Sequence, residues 1–230
     1  MQFALTGDVM LGRLVNEYIN QYGPEYPFGD VAELLRKSDL SLINLECVIA
    51  KSGREWMPPK AFYFKSDPDA IQTLKNANIT CANLANNHTL DFQEEALIET
   101  LENLDKANIL HVGAGKNIEE AERFVVIEKN GIKIGIIGFA DYPKEWAASK
   151  NKAGINYIEI SDKGIEKIKK VTKEMKNECD IAILSVHWGP NMRQRPTEAF
   201  RKFARTAIDS GIDIYHGHSA HIFQGIEIYN

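Results

Sequence analysis

Short apolar runs alternate with amphipathic stretches along the whole chain, and no other feature narrows its possible folds so far. A brief apolar run between turn signals reads as a buried strand, and apolar residues every three or four positions read as the covered face of a helix. Residues 3–5, 40–45, 79–84 and 109–112 are such runs. Between them, Asp30 is expected to cap a helix with Val31, Leu34 and Leu35 on one face. Asp67-Pro68 is expected to open another, carrying Ala70, Ile71 and Leu74. Leu97, Leu101 and Leu104 form a helical stripe within 91–107.

The second half repeats the alternation. Residues 124–127 and 132–139 flank Asn130-Gly131, a dipeptide that favours a tight hairpin. The Lys-rich stretch 162–178 turns Ile165, Ile168 and Met175 inward, so its lysines form a solvated helix face. Residues 181–186 and 212–215 are strands, and Thr197 caps a helix closed by Gly211. Residues 226–229 are expected to begin one more strand. Strands alternating with helices predict a layered α/β fold with a largely parallel sheet, mixed because of the hairpin. We expect one domain over 1–230. The chain stops beside a strand-like run, so a longer natural polypeptide is also expected. Two irregular stretches, 51–61 and 142–155, are candidates to overhang a site.

Bulk properties exclude several roles. A net charge of -5 gives no basic field for nucleic acid. Cys47, Cys81 and Cys179 have no C-x-x-C spacing and read as buried thiols rather than a disulfide or zinc framework. No apolar run approaches a membrane span, and the chain begins directly in a strand-like run. As it stands a cytoplasmic location is expected; an extracytoplasmic or membrane-associated one follows if a leader segment has been removed.

In parallel sheets ligands bind beyond the carboxyl ends of the strands. Just past those ends lie Asp8, Glu46, Asn86-Asn87-His88, His187, and His218 with His221. Each has a plain structural explanation alone, since a lone Asp often forms a turn and a lone His often packs in a core. Together they are metal-ligand types converging from separate strands. Carboxylates, imidazoles and an amide oxygen suit one or two divalent ions such as Mn²⁺, Fe²⁺ or Zn²⁺. A pair of such ions can activate water and clamp an in-line displacement at phosphorus. Arg13, Arg193 and Arg195 are candidates to meet an anionic substrate, and Trp188 to wall the site or fill the core.

Five separated motifs carry a further signal. They are Gly7-Asp8-Val9-Met10-Leu11-Gly12-Arg13, Asn44-Leu45-Glu46, the stretch from Asn83 to Asp91, His187-Trp188-Gly189, and Gly217-His218-Ser219-Ala220-His221 running on to Glu227. In this order they resemble the CapA family of poly-γ-glutamate and capsule biosynthesis proteins, whose fold is similar to the calcineurin-like metallophosphoesterases. The resemblance implies a four-layer α/β/β/α sandwich with mixed sheets. It also implies that Asp8, Glu46, Asn87, His187, His218 and His221 hold metal, with Glu46 shared between two ions, and that His88 is catalytic. Asp91 is placed to orient His88, as a catalytic histidine requires. Two positions depart from the pattern. Met10 stands where metallophosphoesterases commonly carry a histidine, and thioether sulfur is a poor partner for a hard metal. Pro190-Asn191 stand where relatives often have a glutamate. His216 is expected to support the ligands or to pack as a satisfied core histidine rather than to join them.

The functional expectation is a metal-dependent hydrolase of phosphate esters or related anionic small molecules or polymers. A non-catalytic component of capsule or polyglutamate assembly, binding polymer or a membrane complex, is the alternative. Amide-bond chemistry on a γ-glutamyl polymer is a third reading. Capsule-assembly partners are expected under either family-based role.

Overall fold

The computed structural model describes residues 1–230. Apolar runs become strands and amphipathic stretches become helices. In order they are β1 (Phe3–Val9), α1 (Leu14–Tyr22), α2 (Val31–Lys37), β2 (Leu40–Leu45), β3 (Val48–Ile49), β4 (Lys65–Ser66), α3 (Ile71–Asn76), β5 (Cys81–Asn83), α4 (Gln93–Lys106) and β6 (Leu110–Val112). There follow β7 (Ala114–Gly115), α5 (Ile118–Ala121), β8 (Val125–Lys129), β9 (Ile132–Ala140), β10 (Gly154–Ile155), α6 (Asp162–Met175), β11 (Ile181–His187), α7 (Glu198–Asp209) and β12 (Ile214–His218).

Two four-stranded sheets dominate. One has the order β1-β2-β5-β6 and is parallel throughout; the other has the order β12-β11-β9-β8, with only β8 antiparallel. Successive side chains of a strand point to opposite faces. On β2, Leu40 and Leu42 therefore pack with Ile134, Ile136 and Ile183 of the other sheet, while Ile43 and Leu45 pack with Leu74, Leu97 and Leu101 of the helices. Ile137, Phe139 and Leu184 of the second sheet pack against Ile165, Ile168 and Phe203 of α6 and α7. The layers thus run helices, sheet, sheet, helices, the α/β/β/α sandwich expected. With both faces of β2 covered, all six of its residues are buried, which is why it reads as an unbroken apolar run.

Local signals hold unevenly. Asn130 (φ 54°) and Gly131 (φ 77°) turn the β8–β9 hairpin, and Thr197 accepts from the Phe200 N–H to cap α7. Asp30 and Asp67 stand at helix starts but their carboxylates cap neither; Asp67 is taken by the Asn16 and Asn20 amides. The expected face of α2 is corrected: Ala32 and Leu35 are buried, whereas Val31 and Leu34 are exposed. Residues 226–229 form no strand; Phe223, Ile226 and Ile228 find no neighbouring backbone to pair with and stay exposed. All three cysteines are free and buried. No helix is long and apolar enough to cross a membrane.

Candidate metal centre

The strands that face each other across the two sheets change character at their carboxyl ends. On the facing side, Leu40 and Leu42 give way to Asn44, Cys81 to Asn83, Ile183 to Ser185 and His187, and Ile214 to His216 and His218. β1 needs one more device. Phe3 and Leu5 pair with Leu40 and Leu42, but an irregularity between Leu5 and Asp8 brings Asp8, not Gly7, opposite Asn44. One inserted residue flips a strand's faces. Asp8 therefore joins the polar floor, where Asn44 Nδ2 donates to its Oδ1 at 2.8 Å.

Around Asp8 the expected ligands gather. His221 Nδ1 lies 2.8 Å from Asp8 Oδ2, and His187 and His218 place Nδ1 atoms 3.7 and 3.6 Å from Oδ1. Those two Nδ1 atoms are themselves 3.2 Å apart. Nε2 of His187 lies 3.5 Å from Glu46 Oε1. Two overlapping donor sets result, Asp8 with His187 and His218, and Asp8 with Glu46 and His221. His218 is held from behind: Ser185 Oγ stands 3.0 Å from its Nε2 and 3.2 Å from His216 Nδ1. His216 thus supports the cluster.

Charge follows burial. Burial pushes the Asp8 carboxyl up, but the His187 and His218 imidazoles and the Asn44 amide outweigh it and hold the group well below its usual range. Glu46 has no such help. Burial, then the nearby Asp8 and Asp91 charges, raise it to about 8 against a weaker pull from Lys60. Burial likewise keeps His218 far below the ordinary imidazole value.

Two oxygens test whether a metal fits. Glu46 Oε1 and Asn87 Oδ1 are buried and hydrogen-bond nothing. An orphaned buried acceptor costs about 1–3 kcal/mol, more when charged. A cation beside the Asp8–histidine cluster would satisfy Glu46, and the free Asn87 oxygen is the donor type expected of an amide ligand. Met10 is not part of this set; its sulfur accepts from the Gly12 N–H at 3.0 Å.

Beside the cluster, His88 is held on two sides. Its Nδ1 lies 2.6 Å from Asp91 Oδ2, and the Phe64 ring stacks on it with centroids 3.9 Å apart. Asp91 is fully buried and also accepts from the Phe64 N–H at 2.7 Å and from Lys60. Burial lowers the His88 pKa, with the Asp91 carboxylate opposing.

Residues 2–230 match the family described as Bacterial capsule synthesis protein PGA_cap. The chain belongs to this family. It is 28% identical over 232 residues to a capsule biosynthesis protein CapA of Bacillus anthracis, covering 100% of this chain and 56% of that protein. It is 31% identical over 229 residues to the PGA biosynthesis protein CapA of Bacillus subtilis strain 168, covering 99% and 59%. The PGA_cap chain therefore spans little more than half the length of these curated relatives. Among solved structures, a hypothetical protein from Thermus thermophilus superposes with a TM-score of 0.56 at 13% identity, covering 96% of this chain and 69% of that one. A candidate 5'-nucleotidase from Staphylococcus aureus, solved with α-ketoglutarate, gives 0.57 at 13% identity over 95% and 45%. At that identity the likeness is one of fold, the metallophosphoesterase-type sandwich.

The expected substrate-binding arginines of this PGA_cap chain stand on two exposed segments. Arg13 is exposed at the start of α1 with its guanidinium 5.3 Å from the centre of the Phe62 ring. Arg193 and Arg195 are exposed in the loop after β11, where Arg193 lines a cleft with Trp188, Phe200 and Gln224. Trp188 is buried among Phe200, Phe203 and Tyr215 and belongs to the core behind the site. Four residues to which the sequence reading gives no role also stand at or beside the site. Asn44 and Asn83 brace the floor, Asn83 Nδ2 donating to Asn44 Oδ1 at 2.9 Å. Lys60 reaches in from the 51–61 loop. Asp141, at the end of β9, accepts from the Gly189 N–H at 3.0 Å, so a carboxylate does stand against the His-Trp-Gly turn. Asp141 follows an apolar run, the same signal that marks the expected ligands; Asn44 and Asn83 stand in the family motifs, and Lys60 carries no such signal.

Proposed function

We propose that this chain is a divalent-metal-dependent hydrolase acting on a phosphate ester or related anionic group, serving poly-γ-glutamate or capsule synthesis. The observation that carries the reading is the pair of orphaned buried oxygens, Glu46 Oε1 and Asn87 Oδ1, accompanying an acid and three imidazoles at strand ends. Asp8, Glu46, Asn87, His187, His218 and His221 would hold one or two ions, Mn²⁺, Fe²⁺ or Zn²⁺ by donor type. Such an ion supplies Lewis acidity to a phosphoryl oxygen and to an attacking water. The capsule connection rests on what the Bacillus relatives are named for.

The chain's own residues supply the proton chemistry. With Nδ1–H committed to Asp91, His88 has Nε2 left to work with. Burial favours the neutral ring, so Nε2 takes a proton from the attacking water and the Asp91 carboxylate steadies the imidazolium until that proton passes to the leaving oxygen. Phe64 covers one face of the ring and keeps water from it. Arg13, propped on Phe62 and solvent-facing, is the candidate to meet substrate charge.

One observation favours the non-catalytic assembly role: at position 10 the chain has a thioether engaged by its own backbone instead of an imidazole. Elemental analysis and bis-p-nitrophenyl phosphate hydrolysis with added Mn²⁺ separate the readings. Bound metal, with turnover about 100-fold lower in His88→Ala but metal content unchanged, supports the hydrolase. Protein that holds metal yet hydrolyses nothing supports the assembly role, and protein that holds none contradicts the metal centre.

A further inference from the structure

We infer that Lys60 is a positioning residue, a cation clamp that fixes the Asn87 turn and the His88 imidazole in one act. The inference rests on the proposed metal centre for the role of Asn87, but not for that of His88. Nζ of Lys60 donates both to the backbone oxygen of Asn87 and to Asp91 Oδ1. The ammonium sits 4.5 Å from the centre of the Trp146 ring, and its side chain is only 23% exposed. Each bond has a distinct effect. The first ties down the main chain of Asn87 while its side-chain oxygen stays unpartnered, so one end of the residue is anchored and the other left to bind. The second holds the carboxylate whose other oxygen receives His88 Nδ1 and the Phe64 N–H.

Asp91 is therefore a three-way junction, and Lys60 is the cation on it. On the 51–64 segment Phe64 shares part of this task, its N–H donating to Asp91 Oδ2, but only Lys60 brings a charge and also reaches the Asn87 backbone oxygen. Trp56 N–H donates to the Asp91 backbone oxygen at 2.8 Å, Tyr63 Oη donates to the Trp56 oxygen at 2.8 Å, and the Lys60 N–H donates to Tyr63 Oη at 2.8 Å. These bonds brace the loop without the ammonium, so removing the charge leaves the loop seated but unfastens Asn87 and frees one side of Asp91. A residue that merely neutralised Asp91 would affect stability alone. A clamp also sets the geometry of groups it does not touch.

The test compares Lys60→Met, which keeps most of the length and loses the ammonium, with Lys60→Arg, which keeps a cation. The first readout is proton NMR of the metal-free chain, with His88→Ala providing the assignment. A proton in a 2.6 Å bond to a buried carboxylate exchanges slowly and resonates far downfield. That resonance is expected in the wild type and in Lys60→Arg, and is expected to broaden or vanish in Lys60→Met. The second readout is Mn²⁺ titration calorimetry, with Lys60→Met binding about 10-fold more weakly and Lys60→Arg restoring most of the loss. A folded Lys60→Met variant that keeps both the resonance and the wild-type Mn²⁺ affinity overturns the clamp. If the wild type itself binds no Mn²⁺, the proposed function fails, the role for Asn87 fails with it, and the NMR comparison alone decides the role for His88.

Discussion

Glu46 Oε1 stands 3.5 Å from Nε2 of His187; Glu46 directly follows β2 of one sheet and His187 ends β11 of the other. They meet because both sheets end in polar residues on the sides that face each other. A carboxylate this buried, with no hydrogen bond to Oε1, has a measurable consequence before any metal is added.

Metal-free protein should lose stability as pH rises from 6.5 toward 8. The Glu46 carboxyl is raised from 4.5 to about 8 by burial. A group whose folded pKa is raised stabilises the fold below its unfolded value, and that contribution is lost as pH climbs through the folded value. Below 6.5 the buried imidazoles of His88, His216 and His218 act oppositely, because their folded values are depressed and stability falls as they take up protons. Above 6.5 the Glu46 contribution is the larger, with Asp141, also raised by burial, acting in the same direction, and the expected loss is about 2 kcal/mol. Urea melts in chelator across this interval check it. Glu46→Gln should flatten the slope, and so should Mn²⁺, which holds the carboxylate ionised.

Asp8 is common to both donor sets, whereas Glu46 belongs to one. Asp8→Asn should therefore abolish Mn²⁺ binding, while Glu46→Gln should leave residual binding at His187 and His218. Calorimetric stoichiometry distinguishes them. Equal losses in the two variants contradict the shared role of Asp8.

The floor depends on a glycine in the opposite sheet. A Cβ at Gly138 of β9 would lie 2.0 Å from Asn83 Oδ1, and Asn83 is fully buried with no room to swing aside. Asn83 also braces Asn44, which bonds Asp8. Gly138→Ala should destabilise the fold by about 2–3 kcal/mol and weaken Mn²⁺ binding. Gly7→Ala, where a Cβ meets nothing within 4 Å, is the matched control and should change neither.

How much of this was legible depends on where each residue sits. His187 and His218 end apolar strands, so the rule that ligands gather at carboxyl ends reaches them directly. Asp8 was legible as a residue after a strand and through the family motif; the irregularity that turns it toward Asn44 leaves no mark in the apolar pattern. Asn44 and Asn83 lie within strands and look like polar interruptions of a core run, because which face they take depends on the second sheet. Lys60 lies in a loop without periodicity, and only tertiary packing brings it to Asp91. Residues 226–229 have the alternation of a strand, but alternation does not supply a partner. The four-layer arrangement came from the family resemblance, since apolar periodicity does not tell one sheet from two.

The most direct test of the centre is a crystal of the chain soaked in Mn²⁺, with anomalous differences collected at the manganese edge. A peak is expected within bonding distance of Asp8 and at least two of Glu46, Asn87, His187, His218 and His221. A well-ordered site with those side chains in place and no peak among them, at Mn²⁺ concentrations that saturate calorimetry, would contradict the proposed centre.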